Sequence, residues 1–181
     1  MKIIIGKEIG MCKEIKNAIS EVEYMLQDHK YLYSLGEFVH NRQVQDKLEA
    51  KGLMKINFID EVPPASNIII STYGAERKDI EYAISKGMNI YDLTCPHIRT
   101  IQEKVEKESK RSFIIIIGNE KHPEVKSIKS FAGKNSIVVD ELDEIDDAFI
   151  QVMAEEPKIV KYLDIPIQHC NKDILKLMNR R

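Results

Sequence analysis

The chain has 181 residues, enough to bury a sizeable core as one domain or two small ones. Its 43% hydrophobic and 31% charged residues are those of a soluble globular protein, and a net charge of −2 argues against a generic nucleic-acid surface. No apolar run reaches the length of a membrane span, and three widely spaced cysteines do not make a disulfide framework, so a cytoplasmic location is expected.

Strands and helices alternate along the chain. Residues 3–5 read as a first strand, in an apolar run too short for a signal peptide. Residues 12–27 carry helical spacing through Ile15, Ile19, Val22 and Leu26. A short strand over 31–34 precedes a helix over 41–51, with Val44 and Leu48 on its inner face and Gly52 as its stop. Strands are then expected over 56–59 and 68–71, separated by the Pro63-Pro64 loop. A helix over 76–86, a strand over 89–93, a helix over 96–110 and a strongly apolar strand over 113–117 follow. The series ends with a helix over 123–131 and a strand over 137–139. This order predicts an α/β fold of parallel sheets flanked by helices. Residues 140–147 are rich in Asp, Glu and Leu, and residues 147–181 read as a strand–helix tail.

The reactive residues fall just past the predicted strands. Cys12 follows the first, His40 the second, Tyr73 the strand at 68–71, Cys95 that at 89–93, and His122 that at 113–117. Ligands of open parallel sheets bind beyond the carboxyl ends of the strands, so these residues are candidates for one site. Cys12 opens a helix, and Pro96 places Cys95 at the start of another. A helix N-terminus favours a thiolate or a negative iron–sulfur group, but two structural cysteines at helix caps would look the same. His40 precedes Asn41, Arg42 and Gln43, donors suited to phosphate oxygens; a helix cap in a polar turn is the equal alternative. Glu124 follows His122 and Pro123. If buried, it could hold its proton more tightly and deliver it; otherwise it complements a helix dipole. Neither a Gly-x-Gly-x-x-Gly loop nor a phosphate-binding Gly-x-x-x-x-Gly-Lys loop is present.

Four blocks together carry a resemblance: Gly10-Met11-Cys12, the run from Leu35 through His40-Asn41-Arg42-Gln43-Val44, Asp92-Leu93-Thr94-Cys95-Pro96, and His122-Pro123-Glu124-Val125. In this order the chain resembles the 4-hydroxy-3-methylbut-2-enyl diphosphate reductase family from residue 1 to about residue 146. The resemblance implies a three-lobe trefoil, of which residues 1–95 would form one complete lobe and 96–146 part of a second. It implies a [4Fe–4S] cluster held by Cys12 and Cys95. His40 and His122 would bind the diphosphate, joined by Tyr73, and Glu124 would supply the catalytic proton. The implied substrate is a small allylic diphosphate, reduced to isopentenyl and dimethylallyl diphosphate. The implied redox partner is a low-potential donor such as ferredoxin or flavodoxin, with no nucleic acid and no membrane involved.

The chain departs from the family's pattern in three places. Tyr73, in Ser71-Thr72-Tyr73-Gly74, stands where the family's motif has a histidine, and offers one phenolic donor but no cation at neutral pH. Glu14 stands where the first motif has a glycine. The family's third cluster cysteine has no matching segment, and Cys170 is not in that motif. The tail, through residues 158–180, resembles a strand–helix unit of a radical-SAM methylthiotransferase, without that family's three-cysteine motif. Two other readings therefore stand beside the reductase: a non-catalytic truncated or fused α/β remnant with weak phosphate binding, and an iron–sulfur module completed by another chain.

Overall fold

The computed structural model describes residues 10–140, together with Ile150, Gln151, Ala154 and Glu155. The strand expected at 3–5 and nearly all of the expected tail lie outside the described residues. Within them the chain runs α1 (Lys13–Asp28), β1 (Leu32–Leu35), α2 (Arg42–Ala50), β2 (Leu53–Ile56), a 3-10 turn (Ile59–Glu61), β3 (Asn67–Ile70), α3 (Arg77–Ser85), β4 (Asn89–Asp92), α4 (Pro96–Glu108), β5 (Ile114–Ile117), α5 (Pro123–Ala132) and β6 (Ser136–Val139).

The first four strands form a parallel sheet in the order β2-β1-β3-β4. Leu35 pairs with Ile56 on one side and Ile70 on the other, and Ile70 pairs with Asp92. All four strands therefore stop along one line, and the loops that follow them share one edge. Successive residues of a strand face opposite ways, so each face of the sheet receives its own apolar cluster. Ile69 packs with Val22, Leu32, Phe38, Leu48 and Leu53 under α1 and α2. Ile68 packs with Ile56, Ile59, Val62, Ala83 and Met88 under α3 and the 3-10 turn. The strand expected at 56–59 is a correction: β2 is Leu53–Ile56, and the chain then turns. The backbone N–H groups of Asn57 and Phe58 both donate to the Glu61 carboxylate, at 2.9 and 2.8 Å, which takes them out of any ladder and starts the 3-10 turn.

β5 and β6 form a separate parallel pair. Its helix α5 packs on α4, and the seam between the lobes is polar. The Gln102 amide donates to Ser127 Oγ at 2.6 Å, and Ser127 Oγ–H donates to the Ala75 carbonyl at 3.0 Å. Arg77 adds three contacts. Its N–H donates to Ser130 Oγ, its guanidinium pairs with Glu106 at 2.5 Å, and the same group lies 4.7 Å from the centre of the Phe131 ring. Gly74 sits where this seam meets the first sheet, with φ +79° and no room for a side chain: a Cβ would lie 2.6 Å from both Gln102 Nε2 and Ser127 Oγ.

Candidate functional site

Three rings meet at the shared loop edge. The His40 imidazole stacks on the Tyr73 phenol, with centroids 4.3 Å apart and planes 28° apart. His122 meets both rings edge-on, at 5.2 Å from His40 and 5.9 Å from Tyr73. Each ring comes from a different loop, and each loop is held by its own sequence. The β1–α2 loop is fixed by buried Gln45, whose carbonyl oxygen accepts the Phe38 N–H at 3.0 Å. Asn41 caps α2 by accepting the Val44 N–H at 3.1 Å, so the capping alternative holds for Asn41, while Arg42 points to solvent beside Asp46. Tyr73 sits in a turn closed by the Gly74 N–H donating to the Ser71 carbonyl, and its phenol oxygen accepts the His40 backbone N–H at 2.9 Å.

His122 caps α5 through Nδ1, which accepts the Glu124 N–H at 3.3 Å. That bond assigns the ring proton of a neutral His122 to Nε2, leaving one N–H donor on the far side of the ring. Glu124 is half-buried in the first turn of α5. The Tyr73 hydroxyl is pushed above its ordinary range, chiefly by burial, with the Glu124 and Glu37 carboxylates adding to the rise and the His40 N–H opposing it. The phenol is therefore neutral across the physiological range, and both carboxylates lie within electrostatic reach of Tyr73.

The two thiols lie at helix starts on the same edge. Cys12 is the N-cap of α1 and Cys95 the N-cap of α4, and neither side chain makes a capping bond. Cys95 is tied to the Tyr73 loop: its N–H donates to the Thr72 carbonyl at 3.0 Å. Its own loop is shaped by Asp92, which accepts both the N–H and the hydroxyl of Thr94. The Glu14 carboxylate is held below its ordinary range, first by its own backbone N–H, then by the Cys12 thiol, with His97 of α4 contributing. His97 and Thr72 were not singled out from the sequence. Thr72 is 3% exposed, and its hydroxyl is a buried polar atom with no hydrogen-bond partner among the described residues. No periodicity or motif marks such a residue. The Asp92-x-Thr94 spacing, by contrast, is a recognisable side-chain turn signal.

Soft thiols at helix N-termini suit the chemistry of an iron–sulfur cluster. The ligand count does not suffice. Among the described residues no three Cys, His, Asp or Glu side chains come together as a metal site. The free thiols among the described residues are Cys12 and Cys95.

The chain is 33% identical over 152 residues to a 4-hydroxy-3-methylbut-2-enyl diphosphate reductase of Clostridium tetani, covering 81% of this chain and 24% of the relative. It is 36% identical over 143 residues to the reductase of Campylobacter hominis, covering 77% and 50%. The reductase of Helicobacter pylori is 29% identical over 182 residues, covering 95% of this chain and 65% of the relative. The solved reductase of Plasmodium falciparum superposes with a TM-score of 0.73 at 27% identity, covering 90% of this chain and 47% of that one. The chain thus spans from a quarter to just under two thirds of these curated relatives, and its two α/β lobes correspond to part of the trefoil reductase fold. The LytB protein family model matches residues 3–165, running past residue 146 into the segment expected to be a separate tail, and the chain belongs to that family.

Proposed function

We propose that the chain acts as part of a 4-hydroxy-3-methylbut-2-enyl diphosphate reductase in the cytoplasm. The observation that carries this reading is the meeting of His40, Tyr73 and His122 at the edge where Cys12 and Cys95 start their helices. The reaction removes an allylic hydroxyl as water and consumes two electrons, from a donor such as ferredoxin or flavodoxin, and two protons. A [4Fe–4S] cluster, for which Cys12 and Cys95 would be two ligands, is the electron carrier such chemistry uses.

The chain's own side chains account for the rest. The His122 Nε2–H and the imidazole of His40 can serve an anion as hydrogen-bond donors. Their placement at a helix start and a loop edge suits a diphosphate. Glu124, half-buried behind His122, is the proton source for the departing hydroxyl. One observation favours the rival reading of a non-catalytic scaffold: a phenol occupies the third ring position, so the site has one fewer group able to carry positive charge than three imidazoles would provide.

The test is anaerobic incubation of the full chain with iron and sulfide, then assay with the allylic diphosphate and a reduced donor. A stable brown species that turns over supports the reductase. Protein that stays colourless and inactive by itself and with a partner chain added overturns it and leaves the scaffold, whereas colour appearing only with the partner supports a module completed by another chain. Glu124→Gln is expected to keep the colour and lower turnover by about a hundredfold or more. Turnover at the wild-type rate would remove Glu124 from the proton role.

A further inference from the structure

We infer that Tyr73 is a positioning residue that clamps His40, and that it affects anion binding through His40 and not by touching the anion itself. The inference rests on the anion-site reading given above. The clamp has two points. The phenol oxygen accepts the His40 backbone N–H at 2.9 Å, and the phenol face carries the His40 imidazole at 4.3 Å. These fix the main chain and the side chain of one residue from a single neighbour.

The same geometry limits what else Tyr73 can do. One face of its ring is occupied by His40, and His122 stands edge-on to it. The ring is half-buried, and the group is uncharged at neutral pH. His40 is different: it is exposed. An imidazole on an open loop would otherwise lose rotamer freedom on meeting a ligand, and holding it in place beforehand removes that cost. Tyr73 is itself held in place, because the residue after it, Gly74, is wedged against Gln102 and Ser127 in the seam between the lobes.

A double-mutant cycle separates a clamp from a direct contact. Inorganic pyrophosphate is titrated calorimetrically into the full chain and into Tyr73→Leu, Tyr73→Phe, His40→Ala and the doubles. If Tyr73 works through His40, Tyr73→Leu weakens binding by about tenfold in the wild-type background and by less than about twofold in the His40→Ala background. Tyr73→Phe keeps the stacking face, loses the N–H acceptor and falls between. It is also the variant that tests the clamp should the leucine variant fold poorly. Equal losses in both backgrounds would overturn the inference and place the phenol on the anion. Proton NMR of the His40 ring gives a second readout that needs no ligand. The stack shifts the imidazole protons upfield, and Tyr73→Leu is expected to abolish that shift. If the wild-type chain binds no pyrophosphate, the anion-site reading falls, but an unchanged His40 ring shift in Tyr73→Leu would still be needed to overturn the clamp.

Discussion

The four-stranded lobe buries an apolar cluster on each face of its sheet, whereas the two-stranded lobe is joined to it by a seam of serine, glutamine, arginine and a glycine. The first arrangement is non-directional: apolar area leaves water, and many neighbours share the gain. The second is directional. Each hydroxyl and amide in the seam has a specific partner, and a displaced atom leaves a buried polar group unpaired. The site lies where the two regimes meet. Rings from the first lobe (His40, Tyr73) face a ring from the second (His122), so the geometry of the site depends on the seam while its stability depends on the core.

The comparison is broken most severely in the first lobe. Ile69 is fully buried at the centre of the sheet, and Ile69→Ala is expected to cost about 3–4 kcal/mol, from lost transfer energy and the cavity left behind. Urea denaturation of the whole chain checks this. Ile137 on β6 is 49% exposed, and the same truncation there is expected to cost less than about 1 kcal/mol. Equal costs at the two positions would mean that the lobes do not differ in the way their burial implies.

Gly74→Ala addresses the seam directly. The substitution places a methyl group in a left-handed conformation and 2.6 Å from two seam atoms. The Gln102 head can swing aside, but Ser127 Oγ sits on a packed helix and would have to move. The expected cost is about 2 kcal/mol, with the loss concentrated between the lobes. Hydrogen exchange should show faster opening of α4 and α5 while β1 and β3 stay protected. Uniform loss of protection across both lobes would show that they unfold as one unit.

What could be read from the sequence follows the same division. The period of apolar residues located every helix among the described residues, and all the described strands but one, because burial against a sheet or helix leaves a repeat in the chain. Ile56, Phe58 and Ile59 read as a continuing strand. Nothing local shows that Glu61 captures the N–H groups of Asn57 and Phe58, since a side-chain-to-backbone bond leaves no period. The seam was equally hidden. Gln102 and Ser127 look like solvent-facing helix positions, and only the packing of α4 on α5 buries them. At the site, the order of reactive residues past strand ends was legible because topology alone brings such loops to one edge. The stacking of His40 on Tyr73 was not, because it depends on how two unrelated turns are aimed.

The smallest effect expected lies on the apolar side of the first lobe. Asp79 stands in the first turn of α3, beside the apolar side chains of Leu35, Ile59, Ile80 and Ala83. Its carboxyl is pushed above the ordinary range, first by burial and then by the Glu76 carboxylate, against a smaller opposing pull from Lys78. A raised value means that the folded chain holds the proton more tightly than the unfolded chain. The group therefore favours folding below its unfolded value, about pH 3.9, and that contribution is lost as pH rises through the folded value. At neutral pH the ionised Asp79 is a cost, reduced by solvent screening and by its favourable position at a helix N-terminus. Asp79→Asn keeps the shape and removes the charge. It is expected to stabilise the chain by a few tenths of a kcal/mol at pH 7 and to lose that advantage near pH 3.5, where the wild-type carboxyl is protonated as well. Urea midpoints at the two pH values decide the matter. A destabilised variant at pH 7 would mean that the helix-end interaction outweighs burial, and that this edge of the apolar cluster tolerates charge as readily as the polar seam.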